Sequence, residues 1–427
     1  MSLRKMMAMT AGAALLAWVG AASVAQAKEE VVWWDFLSGG DGVRMKTLLD
    51  QFNKENPDIS INATTLEWGP PFYTKVQTSA AVGQGPDVMT YHLSRMPLGV
   101  STGTLRPFTD EDMKSVGLSK DDYFPADWDG VHVDGKQYGV PFDIHSIILY
   151  YNKTKLKAAG LLGDDGLPKG LDGKDNFDAA LKKLTSGDNP GISFSSDDGT
   201  TWRILYTFLA QQDGVFMNGD KVLDGDNAKK AANVVSMVAN WEAQGWAPKL
   251  IDYPASIALF TSGKAAFHIN GVWEVPTMAD LAKNGKLGFE WGAIQIPTLF
   301  AHPATWADSH CFAIPNRKGN EISPTKLKAV MTVIAWMNKH SLFWATAGHI
   351  PAYRPVTESD DFKKMQPNAT YSTLAKTAVF DPKSKIAGVA SPVYAAVVNF
   401  VAPAFAGQLK PEDAVSQVRD QLESELK

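Results

Sequence analysis

Trp273 is the residue whose chemistry and placement say most. It follows a short apolar run of strand length, Ala265 to Ile269, and two residues that let a chain turn sharply, Asn270 and Gly271. An indole just past a strand end is placed to face a cleft. In an open α/β sheet, ligands sit there, outside the carboxyl ends of the strands. A flat aromatic offers its face to the C–H side of a ring, while polar neighbours take hydroxyls. The competing reading, a tryptophan buried in a strand-turn segment, weighs equally on this segment alone. Similar positions recur. Phe36 ends a strand that starts at Val31, and Ser38 and Gly39 lie in the loop Leu37–Gly42 before a helix over Val43–Asn56. Free N–H groups at such a junction donate to a polar ligand. No Gly-Lys-Ser/Thr follows, which argues against a phosphate loop. Glu67 opens the loop Glu67–Pro71 after a strand over Ile59–Leu66. Asp197 and Asp198 precede a helix that begins near Thr201. They accept from ligand hydroxyls, or Asp198 or Thr200 simply caps that helix.

Catalytic chemistry leaves no mark of its own. The eight histidines, His92, His132, His145, His268, His302, His310, His340 and His349, are scattered. None makes a His-Glu-x-x-His metal site, and no Gly-x-Ser-x-Gly elbow occurs. Carboxylates are plentiful, yet nothing singles out a glycosidase pair. No catalytic residue, metal or cofactor is expected. The chain has 13 Trp, several beside polar loops, which favours a binder of rings.

Those side chains need a scaffold. Strands over Val31–Phe36, Ile59–Leu66 and Val88–Tyr91 alternate with helices, which implies an α/β fold with mainly parallel sheets flanked by helices. Met45, Leu48, Leu49 and Phe52 give the first helix one apolar face. Ala228–Trp241 is a strong helix whose spacing puts Trp241 in the core, and Lys326–Met337 and Pro411–Leu426 are two more. A length of 427 residues suggests two or three domains. The net charge of −5 argues against nucleic acid as partner. Arg4 and Lys5, an apolar run from Met6 to Ala22 and Ala25-Gln26-Ala27 fit a secretory signal peptide, residues 1–27, cut before Lys28. Lys28 is not a cysteine, so a lipid anchor is not indicated. The single cysteine, Cys311, reads as a buried strand residue.

Several ordered motifs carry a resemblance. Gly263-Lys264-Ala265-Ala266 leads to Gly271-Val272-Trp273. Gly83-Gln84-Gly85-Pro86-Asp87-Val88 leads to Tyr91, His92, Ser94 and Arg95. Tyr138-Gly139-Val140-Pro141-Phe142 precedes His145 and Asn152-Lys153, and Asp308-Ser309 and Gly348-His349-Ile350-Pro351 with Arg354 follow in order. Together they resemble the extracellular solute-binding proteins of sugar ABC transporters, the maltose-binding kind. The resemblance implies a two-lobed periplasmic binding protein with a ligand cleft at its hinge. Lobe 1 would comprise 28–142 plus 308–358, and lobe 2 would comprise 143–307 plus 359–427. It implies a periplasmic monomer that binds a sugar or small oligosaccharide by hinge closure and hands it to permease subunits. Trp273 would stack on the sugar. Tyr91, His92, Ser94 and Arg95 would form a hydroxyl-binding loop, in which Ser94 departs from the family's carboxylate. His145, Asp308, Ser309, His349 and Arg354 would edge the cleft, and Tyr394, placed by its spacing to Gly407, would be a further stacking ring. Two alternatives stay open. His92, Arg95, His145 and Arg354 suit an anionic sugar derivative or glycerol-phosphate compound, and a secreted carbohydrate-active hydrolase shares the composition.

Overall fold

The computed structural model describes residues 28–427. The expected signal peptide, 1–27, lies outside the described residues.

Two sheets organise the chain. The first contains β1 (Glu29–Asp35), β2 (Ile59–Thr65), β3 (Val88–His92), β4 (Leu105–Arg106), β5 (Val140–Pro141) and, much later, β11 (His310–Pro315). The second contains β6 (Asp143–Asn152), β7 (Ile192–Ser193), β8 (Phe267–Gly271), β9 (Trp291–Ile294), β10 (Thr305–Asp308), β12 (Ile350–Pro351) and β13 (Ala378–Phe380). The order in the first is β2-β1-β3-β11-β4, with β5 beside β11. The second runs β13-β10-β6-β8-β7, with β9 and β12 also on β6. The sheets are mixed rather than mainly parallel. β1 runs parallel to β2 and β3, as the βα rhythm dictates. β11 and β6 arrive from the opposite lobe, and both enter antiparallel to their neighbours.

β6 is the spine of the second sheet. All ten of its residues are buried, and its apolar run Ile147–Tyr151 is the near-continuous pattern of a strand covered on both faces. The chain changes sheets between β5 and β6, and again between β10 and β11. It returns a third time after the helix Pro324–Lys339, to place β12 against the start of β6. β12 thus belongs to the second sheet by pairing, although the sequence reading kept residues to 358 with the first lobe.

The helices that carry the site follow from local sequence. α1 (Gly39–Glu55) buries Met45, Leu48, Leu49 and Phe52. It starts four residues before the expected Val43, so the glycine loop forms its first turn. Gly39 has φ of +55°, a left-handed conformation that glycine adopts without strain. Ser38 caps α1 with backbone only, so N–H groups of the first turn are left for other partners. α2 (Gly199–Ala210) is buried on nearly every side, which marks a helix enclosed between layers. α3 (Asp226–Ala243) holds Trp241 fully buried, as its spacing requires. α4 (Tyr253–Thr261) begins with Asp252 accepting from Ala255 N. Cys311, in β11, is buried with no disulfide partner.

Candidate functional site

The ends of both sheets meet at a cavity of about 490 Å³. Strand alternation decides which side chains reach it. In β3, His92 faces the cavity while Tyr91 turns to the opposite face and packs edge-on against Tyr73, with centroids 5.4 Å apart. The register aligns His310 with His92 and Asp308 with His145, so the two crossings bring four polar residues together.

On the second-sheet side, Trp273 follows β8 in one short 3₁₀ turn and is half-buried. Its Nε1 donates to Tyr253 Oη at 2.7 Å, and that hydroxyl donates to Glu274 Oε1 at 2.7 Å. Gly271 makes the arrangement possible: a Cβ there would stand 2.1–2.2 Å from atoms of the Trp273 ring. The Arg203 guanidinium lies between Trp273 and Trp306, 4.9 and 4.8 Å from the two rings. Trp306 is fixed in turn by donating to Asp381 Oδ1 at 2.9 Å. Asp198 does both things its position allowed. It accepts from Thr200 N at 2.6 Å as the cap of α2, and it lines the cavity.

The floor is built on one carboxylate. Asp143 Oδ1 accepts from the His310 amide at 3.0 Å and His145 Nδ1 at 3.1 Å. Its Oδ2 accepts from Trp344 Nε1 at 2.7 Å and His310 Nδ1 at 2.8 Å, and His349 Nδ1 stands 3.4 Å off. Burial pushes the Asp143 carboxyl up, but His310 and His349 outweigh it and hold it well below the usual range. Burial, with His310 beside it, brings His145 down to about 3, so this imidazole is neutral. Burial and the neighbouring imidazoles push His92 well below its ordinary value too. Asp308 is raised to about 6 by burial, against hydrogen bonds from Ser94 and Ser309.

Of the residues singled out from sequence, Phe36, Ser38, Gly39, His92, His145, Asp198, Trp273 and Asp308 lie on the cavity wall. The others do not. Glu67 is exposed, and its neighbour Trp68 takes the wall position. Tyr91 is on the far face of β3. Ser94 is spent on Asp308, donating at 2.5 Å through Oγ. Arg95 is buried with its guanidinium 4.5 Å over Tyr73. Asp197 points to solvent, beside the inward Asp198. Ser309 is fully buried, its hydroxyl donating to the His310 carbonyl at 3.1 Å. His349 is sealed beneath the floor and reaches Asp41 Oδ2 at 3.1 Å through Nε2. Asp41 and Asp143 outweigh burial and raise its pKa. Arg354 pairs with Glu358 at 2.6 Å on the surface. Tyr394 is buried one layer behind the wall, where a Cβ on Gly199 would come within 2.9 Å of its ring. Sequence reasoning missed Arg203, Tyr253, Glu274 and His310 as wall residues. Only Arg203 left a signal: it is a cation in the otherwise apolar run of α2, four residues after Gly199.

Two α/β lobes, joined by crossing strands and enclosing an aromatic and polar cavity between them, define a two-lobed ligand receptor. The chain belongs to the bacterial extracellular solute-binding protein family, which it matches over residues 47–370. The maltodextrin-binding protein MdxE of Bacillus subtilis (strain 168) is 28% identical over 271 residues, which span 60% of this chain and 57% of that protein. The galactooligosaccharide-binding protein of the same organism is 23% identical over 369 residues, 79% of this chain and 80% of its own. The GacH receptor of Streptomyces glaucescens GLA.O, solved unliganded and with acarbose, superposes with a TM-score of 0.76 at 19% identity, covering 92% of this chain and 97% of that one. That likeness is one of fold. Among the described residues, no helix is long and apolar enough to cross a membrane.

Proposed function

We propose that this protein is the periplasmic substrate-binding component of an ABC importer, exported by residues 1–27, and that it closes on a sugar or small oligosaccharide and presents it to permease subunits as a monomer. The observation that carries the reading is the Trp273 indole, anchored by Tyr253 and Arg203 at the wall of a cavity that also carries the carboxylates of Asp41, Asp198, Glu274 and Asp308. An aromatic face beside carboxylates and neutral imidazoles suits a ring with many hydroxyl donors. The family and the two binding proteins of Bacillus subtilis support it. Residues 28–142 with 308–358 form one moving body in this reading, and residues 143–307 with 359–427 the other. Each carries part of the wall, so ligand touches all of it only in the closed state, and that difference in contact drives closure.

The anionic alternative loses the groups it was built on, because Arg95 and Arg354 are engaged away from the cavity and burial holds the His92 and His145 imidazoles neutral. The hydrolase alternative has no support from the relatives, which are binding proteins. A thermal-shift screen over neutral saccharides, polyols and anionic sugars tests the proposal, followed by calorimetry and product analysis after long incubation. A neutral saccharide should raise Tm and stay intact. Trp273→Ala should weaken its binding by about 2 kcal/mol, roughly 30-fold. Turnover of the saccharide, or unchanged affinity in Trp273→Ala, would count against it.

A further inference from the structure

Histidines that stand far apart in the sequence converge on the cavity floor. One donor atom each from His92, His145 and Asp308 lies within 4.8 Å of the others. All three residues are buried, and all three line the cavity. Each is held from behind. His92 Nδ1 is bonded to Tyr73 Oη at 2.6 Å, and His145 Nδ1 to Asp143 Oδ1 at 3.1 Å. Asp308 Oδ1 receives the amides of Ser94 and Ser309 at 3.0 and 2.8 Å, and its Oδ2 accepts the Ser94 hydroxyl, which an ion would share or displace, at 2.5 Å. Among the described residues, Nε2 of His92 and of His145 has no hydrogen-bond partner. An imidazole whose Nδ1 is tied to a carboxylate or hydroxyl, with Nε2 left open, is the arrangement that orients metal ligands from the outer shell.

We propose that His92, His145 and Asp308 form a site for a divalent first-row transition ion, of the zinc or cobalt type, on the cavity floor. This goes beyond the saccharide reading and does not rest on it. Two imidazoles and one carboxylate suit such ions better than calcium or magnesium, which prefer all-oxygen shells. Bonds of about 2.0–2.1 Å in a tetrahedral site place donor atoms about 3.4 Å apart. His92 and Asp308 lie in the first of the two bodies, where Asp308 is tied to Ser94, and His145 lies in the other, on β6. A small closure of the lobes therefore supplies the last ångström or so, and the ion favours the closed form. The fourth position faces the cavity, open to water or a ligand hydroxyl. The deeper group, Asp143 with His145, His310 and His349, is turned inward on itself and serves as the support.

The test uses the mature, tag-free chain stripped with chelator and titrated with Co2+, read by visible absorption. One equivalent should give the intense bands of four-coordinate Co2+, which one equivalent of Zn2+ should bleach. His92→Gln and Asp308→Asn should each abolish the bands. Tyr73→Phe, which keeps the fold and every donor, should weaken Co2+ about 10-fold or more. No bands in the parent protein, or bands that survive in a folded His92→Gln, would overturn the site. Saccharide binding measured in chelator stays separate, so failure of one proposal leaves the other standing.

Discussion

Trp68 and Trp273 line the same cavity but are held very differently. Trp273 is tethered through Nε1 and flanked by a guanidinium, whereas Trp68 is 47% exposed at the loop before Pro70. Trp68→Ala should therefore leave unfolding free energy within about 0.5 kcal/mol, as exposed substitutions do. It should still cost several-fold in saccharide affinity by removing an apolar lip. Calorimetry set beside thermal denaturation checks both halves. At this scale the sequence was informative where a polar or aromatic residue stood just past a strand end, as at Ser38, His92, His145 and Trp273. It misled by one residue where alternation decides: Tyr91 is turned away because His92 is turned in, and Asp197 because Asp198 caps the helix. Ser309 was misread because its hydroxyl is taken by the adjacent His310 carbonyl, and Ser94 because its partner, Asp308, comes from a distant segment. No local pattern reveals that a hydroxyl already has an acceptor 214 positions away.

The element that matters most is the strand-to-turn joint from β8 into Val272–Glu274. Its backbone at Gly271, with φ of −74°, is open to any residue, so the constraint is purely one of space. Gly271→Ala should leave the strand intact and displace the indole. The expected result is a saccharide affinity lowered by tenfold or more with a shifted tryptophan emission, measured by titration and fluorescence. Unchanged emission and affinity would show that the ring accommodates a methyl group. Helices were the most legible elements, because the apolar faces of α1 and α3 repeat at helical spacing. Strand direction was not legible. The βα rhythm fixes β1, β2 and β3 as parallel, but β11 joins β3 from more than 200 residues further along the chain, after a passage through the other lobe, and only the tertiary path sets its sense.

Over the whole molecule, the three passages between lobes converge on Asp143. Its carboxylate takes donors from the start of β6, from His310 at the start of β11, and from Trp344 on the approach to β12. Asp143→Ala would leave these buried donors unanswered and should cost about 3–5 kcal/mol, as breaking a buried charged pair does. Chemical denaturation of the ligand-free chain measures it, and a cost under about 1 kcal/mol would mean that the donors find other acceptors. Cys311 has a practical consequence of another kind. The only thiol in the sequence is buried in β11, so a maleimide dye finds no native target while the chain is folded. A cysteine introduced at Trp68, on the cleft lip, becomes the one reactive position. The labelled receptor is then an optical reporter of its own ligand, with the affinity lowered by the loss of Trp68 but without the native cysteine having to be removed first.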